Sequence, residues 1–186
     1  MSKAEFQTIF NGYIKRPGSD KLTQWLEITD FYTAPASTKF HDDYAGGLCD
    51  HSVNVWNHLC KLLKTYPEIK PSFETAAIIS LLHDVCKIGF YKADTRNVKE
   101  NGVWVSKPYY AVEESFPFGG HGSKSAYLIG KFITLTDEEA VCIVNHMGNE
   151  DGKYTAYNSY REYPLAWLLH VADEAATVLY EKRGEK

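Results

Sequence analysis

The chain has 186 residues, 44% of them apolar, and a formal net charge of -4. That length suits one domain with a sizeable core, and the negative charge argues against the large basic footprint that duplex nucleic acid requires. No apolar run is long enough to span a bilayer and Met1 to Phe10 does not read as a signal peptide, so a cytoplasmic protein without a membrane partner is expected.

Residues 3–14 and 20–32 read as two helices, broken by the turn Arg16-Pro17-Gly18-Ser19. Leu22, Trp25, Leu26 and Thr29 give the second an apolar face. A loop with Pro35 follows, and then Gly46-Gly47 leads into a helix from about Leu48 to Tyr66. On it Val55, Leu59 and Leu62 follow His51 at helical spacing, which turns His51 toward the core. His58, two turns on, reads as structural or partly exposed. Pro71-Ser72 opens a helix that is apolar nearly all round, with Ala76, Ala77, Ile78, Ile79, Leu81 and Leu82. His83 and Asp84 stand side by side at its end. A carboxylate so close to a buried helix needs a partner, because an unpaired buried charge is strongly disfavoured.

Asn101-Gly102 between Val98 and Val103-Trp104-Val105 signals a β-hairpin over about residues 95–110. From His121 a further helix starts, with Ser125, Leu128, Ile129 and Phe132 on the same face. Thr136-Asp137-Glu138-Glu139 is a capping box. The helix it opens is expected to end at Gly148, with His146 in its last turn. Residues 149–161 are polar and tyrosine-rich and read as a loop. Pro164 opens the last helix, whose apolar face is Leu165, Leu168, Leu169, Ala172, Ala176 and Leu179. Asp173 falls inside that face, a second anomalous carboxylate.

Five helices therefore bring metal-type ligands to core-facing or helix-end positions: His51, His83-Asp84, His121, His146 and Asp173. Imidazole and carboxylate together suit iron, manganese, nickel or zinc. Cys49, Cys60, Cys86 and Cys142 form no Cys-x-x-Cys pair, which disfavours a zinc–thiolate knot. Three of them sit among apolar residues and read as small core residues in a reducing compartment. Six ligands exceed what one ion with open positions needs and fit two ions, with a carboxylate such as Asp84 bridging. Two ions about 3.5–4 Å apart can hold a hydroxide between them and clamp a phosphoryl oxygen.

The order His51, His83-Asp84, Asp173 on successive helices resembles the HD-domain superfamily of metal-dependent phosphohydrolases, over roughly Phe40 to Tyr180. His121 and His146 match the two extra histidines of its binuclear members. Gly46-Gly47-Leu48 before His51 is similar to the HD domain of bacterial 3′-5′ exoribonucleases, although residues 1–40 are not expected to form the OB-type domain that those enzymes carry. Residues 95–99 and 117–125 are similar to a group of stand-alone HD proteins of bacteria and their phages. The resemblance implies an all-α HD bundle with a β-hairpin insertion, a single domain over 1–186 with residues 1–40 as an N-terminal helical extension and a core of about 40–180. It implies two divalent transition-metal ions, iron or manganese first, with nickel, cobalt, zinc or magnesium as alternatives. Asp84 and Lys87 take the catalytic roles, since HD hydrolases often carry a lysine one turn beyond the histidine.

The implied activity is cleavage of a phosphoester by a metal-bound hydroxide, in a small phosphorylated substrate such as a nucleotide or short oligonucleotide. For substrate binding the expectations are Lys87, Lys124 beside the Gly119–Ser123 helix start, Arg96 and Lys99 on the hairpin, and His41 lining the cleft. His170, one turn before Asp173, is a candidate to orient it. Two alternatives stand beside the hydrolase. One is a di-iron oxygenase of the HD type acting on a small substrate. The other is a ligand-binding or regulatory module whose metal site is structural.

Overall fold

Phe6, Ile9 and Phe10 recur at helical spacing and form the buried side of α1 (Ser2–Tyr13). The structure is a computed structural model and describes residues 2–37, 44–114, 116–149 and 155–179. Leu22 and Leu26 bury the inner side of α2 (Ser19–Ile28). Two central helices follow, α3 (Gly47–Thr65) and the shorter α4 (Phe73–Leu82). In α4 every residue from Ala76 to Leu82 is buried, as its all-round apolar pattern requires. Its N-cap Ser72 accepts the Thr75 N–H at 3.0 Å, which satisfies one of the helix's orphan donors.

A short 3-10 turn, Val85–Lys87, leaves α4, and the chain then enters β1 (Tyr91–Glu100) and β2 (Val103–Val112). The helices α5 (His121–Gly130), α6 (Asp137–Val144), α7 (Thr155–Glu162) and α8 (Pro164–Leu179) complete the order. Helix α3 lies between α8 and α4, while α1 packs on α3 and α4, and α6 joins α5, α8 and α4. The result is an all-helical bundle carrying one β-hairpin. Among the described residues no helix is long and apolar enough to cross a membrane.

The hairpin turns at Asn101 and Gly102, both at positive φ (50° and 87°), the backbone that a two-residue turn of this kind demands. Its antiparallel register runs from Glu100↔Val103 to Tyr91↔Val112, so the strands are longer than the 95–110 expected. Lys92, Ala93 and Asp94 carry no strand signal and are recruited by pairing alone.

Three further boundaries correct the sequence reading. Helix α2 stops at Ile28 rather than 32, because Thr29 is extended and the Asp30 carbonyl takes the N–H groups of Thr33 and Ala34 instead, at 2.8 and 2.6 Å. Helix α6 stops at Val144, and His146 lies in the turn after it, which Gly148 closes at φ +75°. The expected loop 149–161 contains α7. Its start is capped from a distance by Asn149 Oδ1, which accepts the Ala156 N–H at 3.1 Å. Tyr160 donates its hydroxyl to the Asn145 carbonyl at 2.9 Å, and tertiary contact thus outweighs a polar local sequence.

The turn after α1 is also a structural clamp. Arg16 meets Glu139 of the α6 capping box through two bonds of 2.7 and 2.8 Å, and the Glu139 carboxylate is fully buried. Glu74 at the start of α4 accepts the backbone N–H groups of Lys15 and Arg16 at 2.7 and 3.0 Å. One loop therefore fixes the N-termini of α4 and α6, the two helices that deliver His83-Asp84 and His146.

Candidate metal centre

Five of the six expected ligands converge in the buried centre of the bundle. His51 comes from the second turn of α3 and is 1% exposed. His83 caps the C-terminus of α4, and its Nδ1 lies 2.9 Å from the Ser80 carbonyl. A carbonyl only accepts, so Nδ1 carries the proton and the neutral ring turns an unprotonated Nε2 inward. His146 repeats this arrangement, with Nδ1 2.7 Å from the Ile143 carbonyl. Asp84 follows His83 directly, and Asp173 enters from α8.

Four donor atoms lie close together around His51 Nε2 and His83 Nε2. His51 Nε2 lies 3.1 Å from His83 Nε2, 3.1 Å from Asp173 Oδ1 and 3.5 Å from Asp84 Oδ2. His83 Nε2 lies 3.6 Å from Asp84 Oδ2 and 3.8 Å from Asp173 Oδ1. Ligands on one transition-metal ion at about 2.0–2.2 Å are themselves about 3.0–3.4 Å apart, so this cage is close to metal size. The other carboxylate oxygen, Asp84 Oδ1, faces His146 Nε2 at 3.5 Å. Asp84 thus presents one oxygen to each of two overlapping groups, His51-His83-Asp173 and His83-Asp84-His146.

The donor chemistry fits cations. His146 Nε2 is buried and makes no hydrogen bond. Its 3.5 Å approach to Asp84 is electrostatic contact at the limit of bonding distance. A single proton on His51 Nε2 cannot serve Asp173 and His83 together. Divalent ions would satisfy these lone pairs and both carboxylates.

Burial pulls the His83 imidazole down to about 4, against the opposing pull of Asp84 and Asp173, so the ring is neutral and ligand-competent. Burial also acts against charge on His146, but Asp84 beside it prevails and its value is raised. Burial would raise both carboxyls; Lys87 and His83 hold Asp84 well below its ordinary value, and His51 and His83 hold Asp173 low.

Lys87 is brought back by the 3-10 turn, and its Nζ lies 2.5 Å from Asp84 Oδ2. Its ammonium is stabilised by that carboxylate despite burial. Tyr91, which no sequence signal singled out, stands in the field of this pair. Its hydroxyl is raised by burial first, with Lys87 opposing and Asp84 adding to the rise.

The remaining expectations are distributed around this centre. His121 begins α5 and belongs to neither group of converging ligands; its Nδ1 faces Cys86 Sγ at 3.6 Å. Cys86 Sγ in turn lies 3.8 Å from Asp84 Oδ1, so a thiol separates His121 from the carboxylate. Lys124 is buried and commits its Nζ to Glu114 at 2.8 Å, between the rings of Phe90 and Phe116, so its charge is compensated within the fold. Arg96 and Lys99 are exposed on the hairpin, with Arg96 5.5 Å above the ring of Tyr109. His41 lies outside the described residues. His170 Nδ1 serves the His146 carbonyl at 2.7 Å, and so holds the His146 turn rather than the Asp173 side chain. The surface depressions of about 550 Å³ beside Trp25 and about 540 Å³ beside Trp56 contain none of the ligands.

The family model described as HD domain matches residues 48–177, a span that contains every one of the ligands above. No curated protein and no solved structure was found to match the chain.

Proposed function

The chain belongs to the HD-domain family, whose members form a superfamily of metal-dependent phosphohydrolases, and from that premise we propose that it cleaves a phosphoester of a nucleotide or short oligonucleotide. The observation that supports this most is the Asp84 carboxylate, one oxygen of which meets His51, His83 and Lys87 while the other meets His146. His51, His83, Asp84 and Asp173 would hold a first divalent ion, and Asp84 and His146, with His121 nearby, a second. When bound, such ions supply Lewis acidity, which lowers the pKa of water and offsets negative charge on a phosphoryl group.

The protein's own groups have distinct tasks. The Ser80 and Ile143 carbonyls fix the tautomers of His83 and His146, so both rings present a lone pair without rearrangement. Lys87 carries three donors, one of them directed to Asp84, and a cation beside the candidate ligands would offset negative charge developing on a transferring phosphoryl group. On the hairpin, Arg96 above Tyr109 offers a cation and an aromatic face suited to the distal part of a nucleotide.

The test is a panel of nucleotides and short oligonucleotides incubated with protein loaded with Mn²⁺ or Fe²⁺. Release of phosphate or of a nucleotide from at least one member is expected. No turnover of any phosphoester by the fully loaded protein contradicts the reading, and oxygen consumption in its place would favour the oxygenase.

A further inference from the structure

Cys86 is the thiol between Asp84 and His121, and the hydrolase reading gives it no task. Its Sγ lies 3.8 Å from Asp84 Oδ1 and 3.6 Å from His121 Nδ1. Its position is fixed, because its backbone N–H donates to Ser125 Oγ of α5 at 3.1 Å. Helix α5 is itself pressed against the end of α6: a Cβ on Gly122 would stand 2.3 Å from the Ile143 carbonyl oxygen. The 3-10 turn, the start of α5 and the turn after α6 therefore meet around Asp84 Oδ1. The buried His146 Nε2, without a hydrogen-bond partner, faces the same oxygen at 3.5 Å.

We propose that Cys86 is a ligand of the second ion, which makes that position a nitrogen, oxygen and sulfur site for thiophilic divalent ions. The inference rests on the two-ion reading of the centre. A thiolate and an imidazole sharing one ion, at about 2.3 and 2.0–2.1 Å from it, lie about 3.1–3.6 Å apart. The observed 3.6 Å between Cys86 Sγ and His121 Nδ1 falls at the upper end of that range. As the sulfur–metal bond forms, the thiol proton passes to solvent and no electron is transferred. The first position, with nitrogen and oxygen donors alone, accepts harder ions such as Mn²⁺, whereas the second favours Zn²⁺, Co²⁺ or Fe²⁺.

Metal-free protein titrated with Co²⁺ tests this by near-ultraviolet absorption, where cobalt bound to thiolate has a charge-transfer band. Two equivalents are expected, with the band rising alongside the second. Cys86→Ser and Cys86→Ala should each remove the band and weaken the second equivalent by about tenfold or more, with the first retained. Zinc-edge X-ray absorption of the wild-type protein needs no variant and should show a sulfur neighbour at about 2.3 Å. Two equivalents without the band, or a band that survives in Cys86→Ser, overturn the assignment and leave the two-ion reading standing. A single equivalent without the band overturns both. A single equivalent with a band that Cys86→Ser removes keeps the sulfur ligand and overturns the two-ion reading.

Discussion

Lys87 and Asp84 form a buried pair at the edge of the cage, and the lysine is the cheaper partner to remove once metal has taken the carboxylate. Lys87→Ala is therefore expected to retain its metal while kcat falls by about 100-fold or more, the scale of losing one preorganised charge at developing negative charge. Steady-state kinetics with metal analysis on the same preparation decide it; unchanged turnover would leave Lys87 as a helix-end cation answering the dipole. At this scale the sequence was informative wherever a residue was out of place. Asp84 after an apolar helix and Asp173 inside an apolar stripe are costly unless partnered, and both are in the cage. Cys86 was not legible, because a cysteine among apolar neighbours has the same appearance whether it packs or ligates. Tyr91 gave no signal for a similar reason: its place beside Lys87 depends on the turn between the two residues.

The elements that deliver the ligands are tied by the Arg16 loop, which read only as a turn. Its partners, Glu74 and Glu139, lie 58 and 123 residues away, and no local pattern encodes such pairs. Arg16→Ala leaves the buried Glu139 carboxylate without its cation and should cost about 3–5 kcal/mol in denaturant unfolding. Glu74 gives a pH signature. Burial would raise its carboxyl, but the Lys15 and Arg16 N–H groups and the Arg16 charge prevail and hold it below its ordinary value. Its folded value lies under its unfolded one, so its stabilisation is complete above the unfolded glutamate value of about 4.3 and is lost as pH falls through the folded value. Glu74→Gln should flatten that acid limb in unfolding curves taken across it; an unaltered limb would remove Glu74 from the clamp. The hairpin offers a separate test. Arg96→Ala should raise KM more than it lowers kcat, because a distal grip acts equally on ground and transition states. Kinetics indistinguishable from wild type would reduce the hairpin to scaffold. Capping box, hairpin turn and buried α4 were all readable from local chemistry. Helix α7 was not, since Asn149 and Asn145, which hold it, belong to another segment.

At the scale of the whole molecule, the bundle brings residues from α3, the end of α4, α8 and the turn after α6 to one buried centre, and places α5 one thiol away from Asp84. His146 faces the second Asp84 oxygen, and His121 faces the Cys86 thiol beside it. Their double substitution by alanine should reduce bound Fe²⁺ from two equivalents toward one while the helical circular dichroism persists; an unchanged stoichiometry would make both histidines bystanders. The match to the HD-domain model covers residues 48–177 and so spans all six candidate ligands, whose order along the chain was visible before the fold was known. The spacing between ligands in three dimensions was not visible, and it decides the metal count. Anomalous diffraction from crystals of the Fe²⁺-saturated protein measures that count directly. The account predicts two peaks that share Asp84, one among His51, His83 and Asp173 and the other against His146. A single peak with His121 and His146 remote from it, or no peak within the cage, would contradict the dinuclear centre.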